Sequence, residues 1–272
     1  MEKKLNEILV VCDLENTLLT PEHELLACNL EMVRLFCALG GNFTIASDCS
    51  FAQAKKALKG LVVNAPAIVA GGCEIVDFSS GEILEQQTMH KQQAQELFLQ
   101  ISARFPEAGV SVLTAQGRTY VLTPSDLLEQ QIAEEKRDCL YAPMEEIEDE
   151  WCKLTVVDSP RVIQGVVALA EGREYDAVKP ILTSHMHCEI MPETAGKAQA
   201  LKAICRKSEF ALANTVAIGD YYNDIEFMKT AGYSVAMGNS PSEVKFAASE
   251  IAGDCRDGGV ASYLYHLIKL YS

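Results

Sequence analysis

The sequence predicts an α/β protein: a doubly wound parallel sheet covered by helices, with an α+β module inserted in its middle. Three observations carry this expectation. Ile8-Leu9-Val10-Val11-Cys12 is an unbroken apolar run that stops at Asp13, as in a strand buried on both faces. Apolar runs alternate with helical patterns at both ends of the chain, the rhythm of right-handed crossover units. Between those ends, candidate strands follow one another more closely.

In chain order, a helical pattern over residues 22–39 follows the first strand and closes on Gly40-Gly41, a helix stop. An apolar run at 42–46, a helix near 51–58 and a third run at 67–70 come next. The C-terminal third opens with a helix over 197–207 and then Thr215-Val216-Ala217-Ile218-Gly219, a second buried run. A helix over 224–229, a strand over 233–236, a helix after Ser240-Pro241 and a closing helix over 259–270 complete it. In the middle, strands are expected at 110–114, 119–122, 154–157 and 185–191, with helices at 92–103 and 160–170 on one face of them.

Composition narrows the function class. Of the 272 residues 49% are hydrophobic, enough for a sizeable core, yet no apolar stretch approaches the roughly 20 residues that span a bilayer. A net charge of −15 repels a phosphate backbone, so nucleic acid is not expected as a partner, and without a spanning stretch neither is a membrane. Met1-Glu2-Lys3-Lys4 leads into Leu5-Asn6-Glu7 rather than a long apolar region, which points to an intracellular, cytoplasmic protein. The ten cysteines are scattered without a Cys-x-x-Cys pair, the pattern of small buried hydrophobes in a reducing compartment.

The residues able to do chemistry sit where strands end. In open α/β sheets ligands bind beyond the carboxyl ends of the strands. Asp13 ends the first strand and Glu15 follows two residues later; alone, an Asp there is more often a turn or cap residue. Asp220 follows the 215–219 run and Asp224 lies four residues on. Two strand ends bearing carboxylates can converge on one crevice, where their repulsion calls for protons or a cation. An all-oxygen set of this kind suits Mg²⁺. The bland reading is that Asp220 and Asp224 cap the next helix. Ser47 closes the second strand, where its hydroxyl and the following N–H groups can take a phosphate oxygen, or simply cap a helix. Lys197 opens the helix before the Asp220 strand and can lay a positive charge on that phosphate, or lie on the surface.

Asp13-Leu14-Glu15-Asn16-Thr17-Leu18-Leu19, Ser47, Lys197 and Gly219-Asp220-Tyr221-Tyr222-Asn223-Asp224 resemble the four ordered motifs of haloacid dehalogenase-type phosphatases. The resemblance is greatest to the Cof-like subgroup, which carries a large α+β cap between the second and third motifs. Ala236-Met237-Gly238-Asn239 and Asp257-Gly258-Gly259-Val260 also resemble that subgroup's tail. The resemblance implies a core domain over residues 1–84 and 190–272 and a cap domain over 85–189. It further implies a Mg²⁺-dependent hydrolase of phosphomonoesters, with small phosphorylated metabolites such as sugar phosphates as substrates.

By the same resemblance Asp13 is the nucleophile, forming an aspartyl-phosphate, and Glu15 is the acid–base group. Mg²⁺ is held by Asp13, the Glu15 backbone carbonyl, Asp220 and Asp224, while Ser47, Lys197 and Asn223 bind the phosphoryl group. The chain departs from the family pattern at four places. Glu15 replaces Asp, Asn16 replaces Gly, Ser47-Asp48-Cys49 replaces Thr-Gly-Arg, and Gly71-Gly72 replaces Asn-Gly. Glu15 and Asp48 leave open an alternative, a catalytically weakened or non-catalytic relative that binds a phosphorylated ligand. Elsewhere, His185 and His187 are read as alternating along one strand and Trp151 as a packing residue. The acidic run 145–150 is read as a solvated face and Asp257 as a cap of the last helix.

Overall fold

The computed structural model describes residues 4–271, so the reading of the N-terminus at 1–3 lies outside the described residues. The first elements in chain order are β1 (Leu9–Cys12), α1 (Ala27–Ala38), β2 (Asn42–Ile45), α2 (Phe51–Ala57), β3 (Ala67–Val69), β4 (Glu74–Val76) and β5 (Ile83–Gln86). The middle holds α3 (Lys91–Arg104), β6 (Gly109–Thr114), β7 (Thr119–Thr123), α4 (Asp126–Glu134) and β8 (Cys139–Tyr141). It continues with β9 (Trp151–Val157), α5 (Pro160–Ala170), β10 (Val178–Ser184) and β11 (His187–Pro192). The last third comprises α6 (Lys197–Lys207), β12 (Thr215–Gly219), α7 (Ile225–Thr230) and β13 (Tyr233–Ala236). Then come α8 (Ser242–Ala247), β14 (Glu250–Ile251) and α9 (Gly259–Tyr271). Two compact units divide the chain, Met1–Glu85 with Gly196–Ser272, and Gln86–Ala195.

The first unit is the α/β core. Its parallel sheet runs β14-β13-β12-β1-β2, with Val10 opposite both Val216 and Phe43. β1 is apolar throughout because both of its faces are covered. Val10 and Cys12 pack with Val33 and Phe36 of α1 and Leu264 of α9 on one side. Leu9 and Val11 pack with Leu201 of α6 and Phe227 of α7 on the other. Fully burying a Leu or Val side chain contributes about 1.5–3 kcal/mol, so the strand that ends at Asp13 is firmly anchored. The 22–39 helix begins later than its pattern suggests. Leu19 bridges Leu25 antiparallel, His23 takes a left-handed φ of 60° in the turn between them, and the helix starts only at Ala27.

The second unit is an α+β module whose sheet runs β10-β11-β9-β6-β7-β8. α3 and α5 pack Leu97, Ile101, Ile163 and Val166 against Val112, Leu154, Val156 and Ile190 on one face. The sequence pattern places helices on that face alone; α4 corrects this. Ser125 caps α4 by accepting the Leu128 N–H, and Leu128 packs on Val121 and Val157 of the opposite face. A Cβ on Gly109 would lie 2.6 Å from the Leu128 Cβ, so this helix needs a bare backbone beneath it.

The expected strand at 185–191 is a second correction. His185 lies in the turn of the β10–β11 hairpin, and only His187 is on the strand, with its Nδ1 2.6 Å from Ser184 Oγ. The two imidazoles therefore do not alternate on one face. Trp151 is fully buried in the core of this unit, as a packing residue. In the acidic run, Asp149 is held by Arg118 at 2.7 Å and by Thr114. No helix among the described residues is long and apolar enough to cross a membrane.

Candidate active site

The parallel register brings the ends of β1, β2 and β12 side by side, and the chemistry-bearing residues follow them directly. The Asp13 N–H continues the ladder to Ile218 O at 2.9 Å, so Asp13 leaves β1 in extended geometry beside the end of β12. The chain then turns through 14–18. Asn16 makes the turn with φ 54°, a left-handed conformation that Asn tolerates better than most residues, and Asn239 Nδ2 holds the Asn16 carbonyl at 2.8 Å. On β12, Gly219 lets Asp224 fold back: a Cβ there would lie 2.7 Å from the Asp224 Cβ.

Asp13, Asp220 and Asp224 are all buried, and each offers one carboxylate oxygen within 4.8 Å of the others. Among the described residues, theirs is the group of His, Cys, Asp and Glu side chains close enough to share an ion. Capping is only part of what these carboxylates do: Asp224 accepts the N–H that opens the short turn Tyr222–Asp224. Asp224 stands at the N-cap of α7 without a side-chain cap, and its Oδ2 instead accepts the N–H groups of Asp220, at 3.1 Å, and Tyr221. Thr17 Oγ1 donates to Asp220 Oδ1 at 3.4 Å. The sequence shows Thr17 only as part of the first segment; its partner lies 203 residues away.

Lys197 is the charge that the cluster gathers around. It opens α6 and is buried, with its Nζ 2.7 Å from Asp13 Oδ1, 3.0 Å from Asp224 Oδ1 and 3.1 Å from Asp48 Oδ2. The backbone places it. Gly196, at φ 132°, meets Gly72, at φ 92°, so tightly that a Cβ on Gly72 would lie 2.2 Å from the Gly196 carbonyl carbon. No Cβ fits at position 72, and the turn that presents Lys197 depends on this.

Ser47, two residues beyond β2, is fully buried. Its hydroxyl donates to the Glu15 carboxylate at 3.3 Å and accepts the Cys49 N–H at 3.1 Å. Glu15 thus lies against Ser47, while Asp13 and Asp224 turn to Lys197. Asn223 Nδ2 donates to Asp48 Oδ2 at 3.0 Å, a contact that spacing alone does not reveal. Just before α9, Asp254 caps the short helical turn Cys255–Asp257 by accepting the Arg256 N–H.

Burial pushes the Asp13 carboxyl well above the usual carboxylate range; Lys197 opposes this, while Asp224, Glu15 and Asp220 reinforce it. Burial, with repulsion from Asp224, pushes Asp220 up to about 8. Burial disfavours the charged Lys197, but Asp13, Asp224 and Asp48 outweigh it and hold the ammonium well above its ordinary value. Desolvated carboxylates that repel one another around a single ammonium form an all-oxygen set able to take a divalent cation.

Comparison with known proteins places this geometry in context. A family model described as haloacid dehalogenase-like hydrolase matches residues 10–264. The pyridoxal phosphate phosphatase YbhA of Escherichia coli is 24% identical over 273 residues, covering 96% of this chain and 98% of that protein. The HMP-PP phosphatase of Serratia proteamaculans is 24% identical, covering 96% of this chain and 95% of that protein. A haloacid dehalogenase-like hydrolase from B. subtilis superposes with a TM-score of 0.85 at 19% identity, over 95% of this chain and 99% of that one.

Proposed function

Because the chain belongs to the haloacid dehalogenase-like hydrolase family, as a Cof-like phosphatase, we propose that it hydrolyses small phosphorylated metabolites, sugar phosphates among them, through a phosphoryl-aspartate on Asp13 with Mg²⁺ as cofactor. The observation that carries this reading is the buried trio Asp13, Asp220 and Asp224 with Lys197 against two of its members. The α+β unit Gln86–Ala195 is taken as the cap. Ten free thiols fit a reducing, cytoplasmic setting.

The donor set fits Mg²⁺. Three buried carboxylates supply the hard oxygen ligands that this ion prefers, and burial, reinforced by neighbouring carboxylates, holds Asp13 and Asp220 above the usual range, a cost that a cation relieves. Asp13, Asp220, Asp224 and the Glu15 carbonyl would hold the ion, which when bound lowers the repulsion between nucleophile and phosphate. The protein's residues carry the rest. A carboxylate oxygen of Asp13 bonds to phosphorus as the ester oxygen leaves, and Glu15 gives that oxygen its proton. Glu15, now a carboxylate, takes a proton from the water that attacks the phosphoryl-aspartate, releasing phosphate and restoring Asp13. Lys197, Ser47 and Asn223 balance charge on the transferring group.

A screen of phosphomonoesters, including sugar phosphates and pyridoxal phosphate, with and without Mg²⁺ tests the proposal. Mg²⁺-dependent phosphate release on several of them is expected; none on a broad panel overturns it. Glu15→Asp is expected to raise kcat/KM on the best substrate by up to about a hundredfold, because the extra methylene displaces the acid–base carboxyl by roughly 1 Å. An unchanged or lower rate removes Glu15 from that role.

Metal binding is also expected to depend on pH. Asp220 titrates at about 8 when folded, against about 3.9 unfolded. Between those values the folded chain binds the extra proton, so the metal-free protein loses stability as pH rises through the window. A bound cation reverses that loss. The rise in melting temperature on adding Mg²⁺ should therefore be clearly larger at pH 8 than at pH 5; equal rises at both would count against the carboxylate site.

A further inference from the structure

The loop after β2 contributes an anion of its own to the phosphate-binding groups. Asp48 follows Ser47 directly, and one oxygen of its carboxylate, Oδ2, takes both the Asn223 amide at 3.0 Å and the Lys197 ammonium at 3.1 Å. A phosphate oxygen would seek the same two donors, because carboxylate and phosphate oxygens are acceptors of one kind for ammonium and amide N–H groups.

Anions crowd Lys197. Its Nζ donates to Asp13 and Asp224, and Asp48 Oδ2 stands against it as an ion pair at 3.1 Å. An incoming phosphate oxygen meets negative charge already paired with this ammonium, and reaches it without repulsion only if one carboxylate withdraws. The three are not equally able to do so. The side chains of Asp13 and Asp224 are 5% and 1% exposed, whereas that of Asp48 is 24% exposed. Asp224 is further tied through its second oxygen to the Asp220 and Tyr221 N–H groups. Asp48 alone of the three sits on a loop outside the buried trio, with a path for its charge back to water. The closed arrangement also leaves Asn223 Oδ1 buried without a hydrogen-bond partner, so it does not satisfy the amide fully. No lysine or arginine lies between Ser47 and Ala54 to offset the added negative charge.

Resting on the phosphatase reading of this site, the geometry points to Asp48 as an internal competitor for phosphate. Its carboxylate fills the place on Lys197 and Asn223 that a substrate phosphoryl group takes, and substrate binds by displacing it. The residue thereby sets a threshold for affinity. Phosphate esters with further contacts to the protein can displace Asp48, while inorganic phosphate, having none, is held weakly and released readily as product.

The test is calorimetric titration of inorganic phosphate, in the presence of Mg²⁺, into the full-length protein and its Asp48→Asn and Asp48→Gly variants. Asn removes the charge and keeps the shape; Gly removes the side chain. Both variants are expected to bind phosphate at least tenfold more tightly than the parent, a gain that a merely structural role for Asp48 would not produce. Equal or weaker binding in the variants overturns the inference, as does phosphate binding by none of the three, or failure of both variants to fold. The outcome separates from that of the phosphatase proposal. Tighter phosphate binding without turnover of any ester leaves Asp48 in its role and removes the hydrolase reading. Turnover with phosphate affinity unchanged by either variant does the reverse.

Discussion

Exchange of Asp13 for Asn is expected to lower Mg²⁺-dependent phosphate release by roughly four orders of magnitude or more, the scale seen when a covalent nucleophile is removed. The substitution is close to isosteric, so the backbone bond from Asp13 to Ile218 and the turn at 14–18 should persist. What disappears is the anionic oxygen. An amide neither attacks phosphorus usefully nor offers charge to a cation, and Asp220 and Asp224 cannot substitute for it. Asp220 is tied to Thr17 and Asp224 to backbone N–H groups and Lys197. Steady-state kcat/KM on the best phosphomonoester is the measurement, beside circular dichroism to show that the fold is kept. Activity within tenfold of the parent would transfer the nucleophile's role elsewhere.

Lys197→Met is expected to have the largest effect on stability. The ammonium is shared by Asp13, Asp48 and Asp224, and removing one partner of a buried ion pair costs about 3–5 kcal/mol because the remaining charge is left uncompensated. For a chain of this size that is a fall in melting temperature on the order of 10 °C. The pH dependence has a defined sign. The folded pKa of Lys197 lies above its unfolded value, so its contribution is fully present below about pH 10 and fades only as pH rises through the folded value. The deficit of the variant, measured by thermal denaturation at neutral pH, should shrink when Mg²⁺ is added, since the cation restores positive charge to the carboxylates. A variant as stable as the parent, with or without Mg²⁺, would show that the lysine is not what compensates the cluster.

Much of the scaffold is legible in the chain because burial on two faces leaves a simple trace. The runs at 8–12 and 215–219 are apolar without alternation, and the helix over 197–207 shows its amphipathic period. Each lies where expected. The middle is harder to read. α4 begins with a capping serine and an acidic first turn, signals that are present but weak beside a short apolar stripe. The β10–β11 hairpin escapes the pattern because the turn at His185 and Met186 lacks Gly, Pro or Asn to announce it. For the site, the positions of the carboxylates at strand ends can be read directly. The contacts of Thr17 with Asp220 and of Asn223 with Asp48 cannot, because the partners lie 203 and 175 residues apart.

By itself the sequence determined the identities of the acidic groups, their place at the ends of buried strands, and the alternation that makes a parallel sheet. Those are local properties, expressed in the period of apolar residues and in where each run breaks. The tertiary structure decided which groups share a charge: that one lysine serves three aspartates, that Glu15 lies on Ser47, and that Asp48 reaches the same ammonium. Those outcomes depend on distances of a few ångströms between segments far apart in the chain, and on desolvation, which no residue carries until the others enclose it.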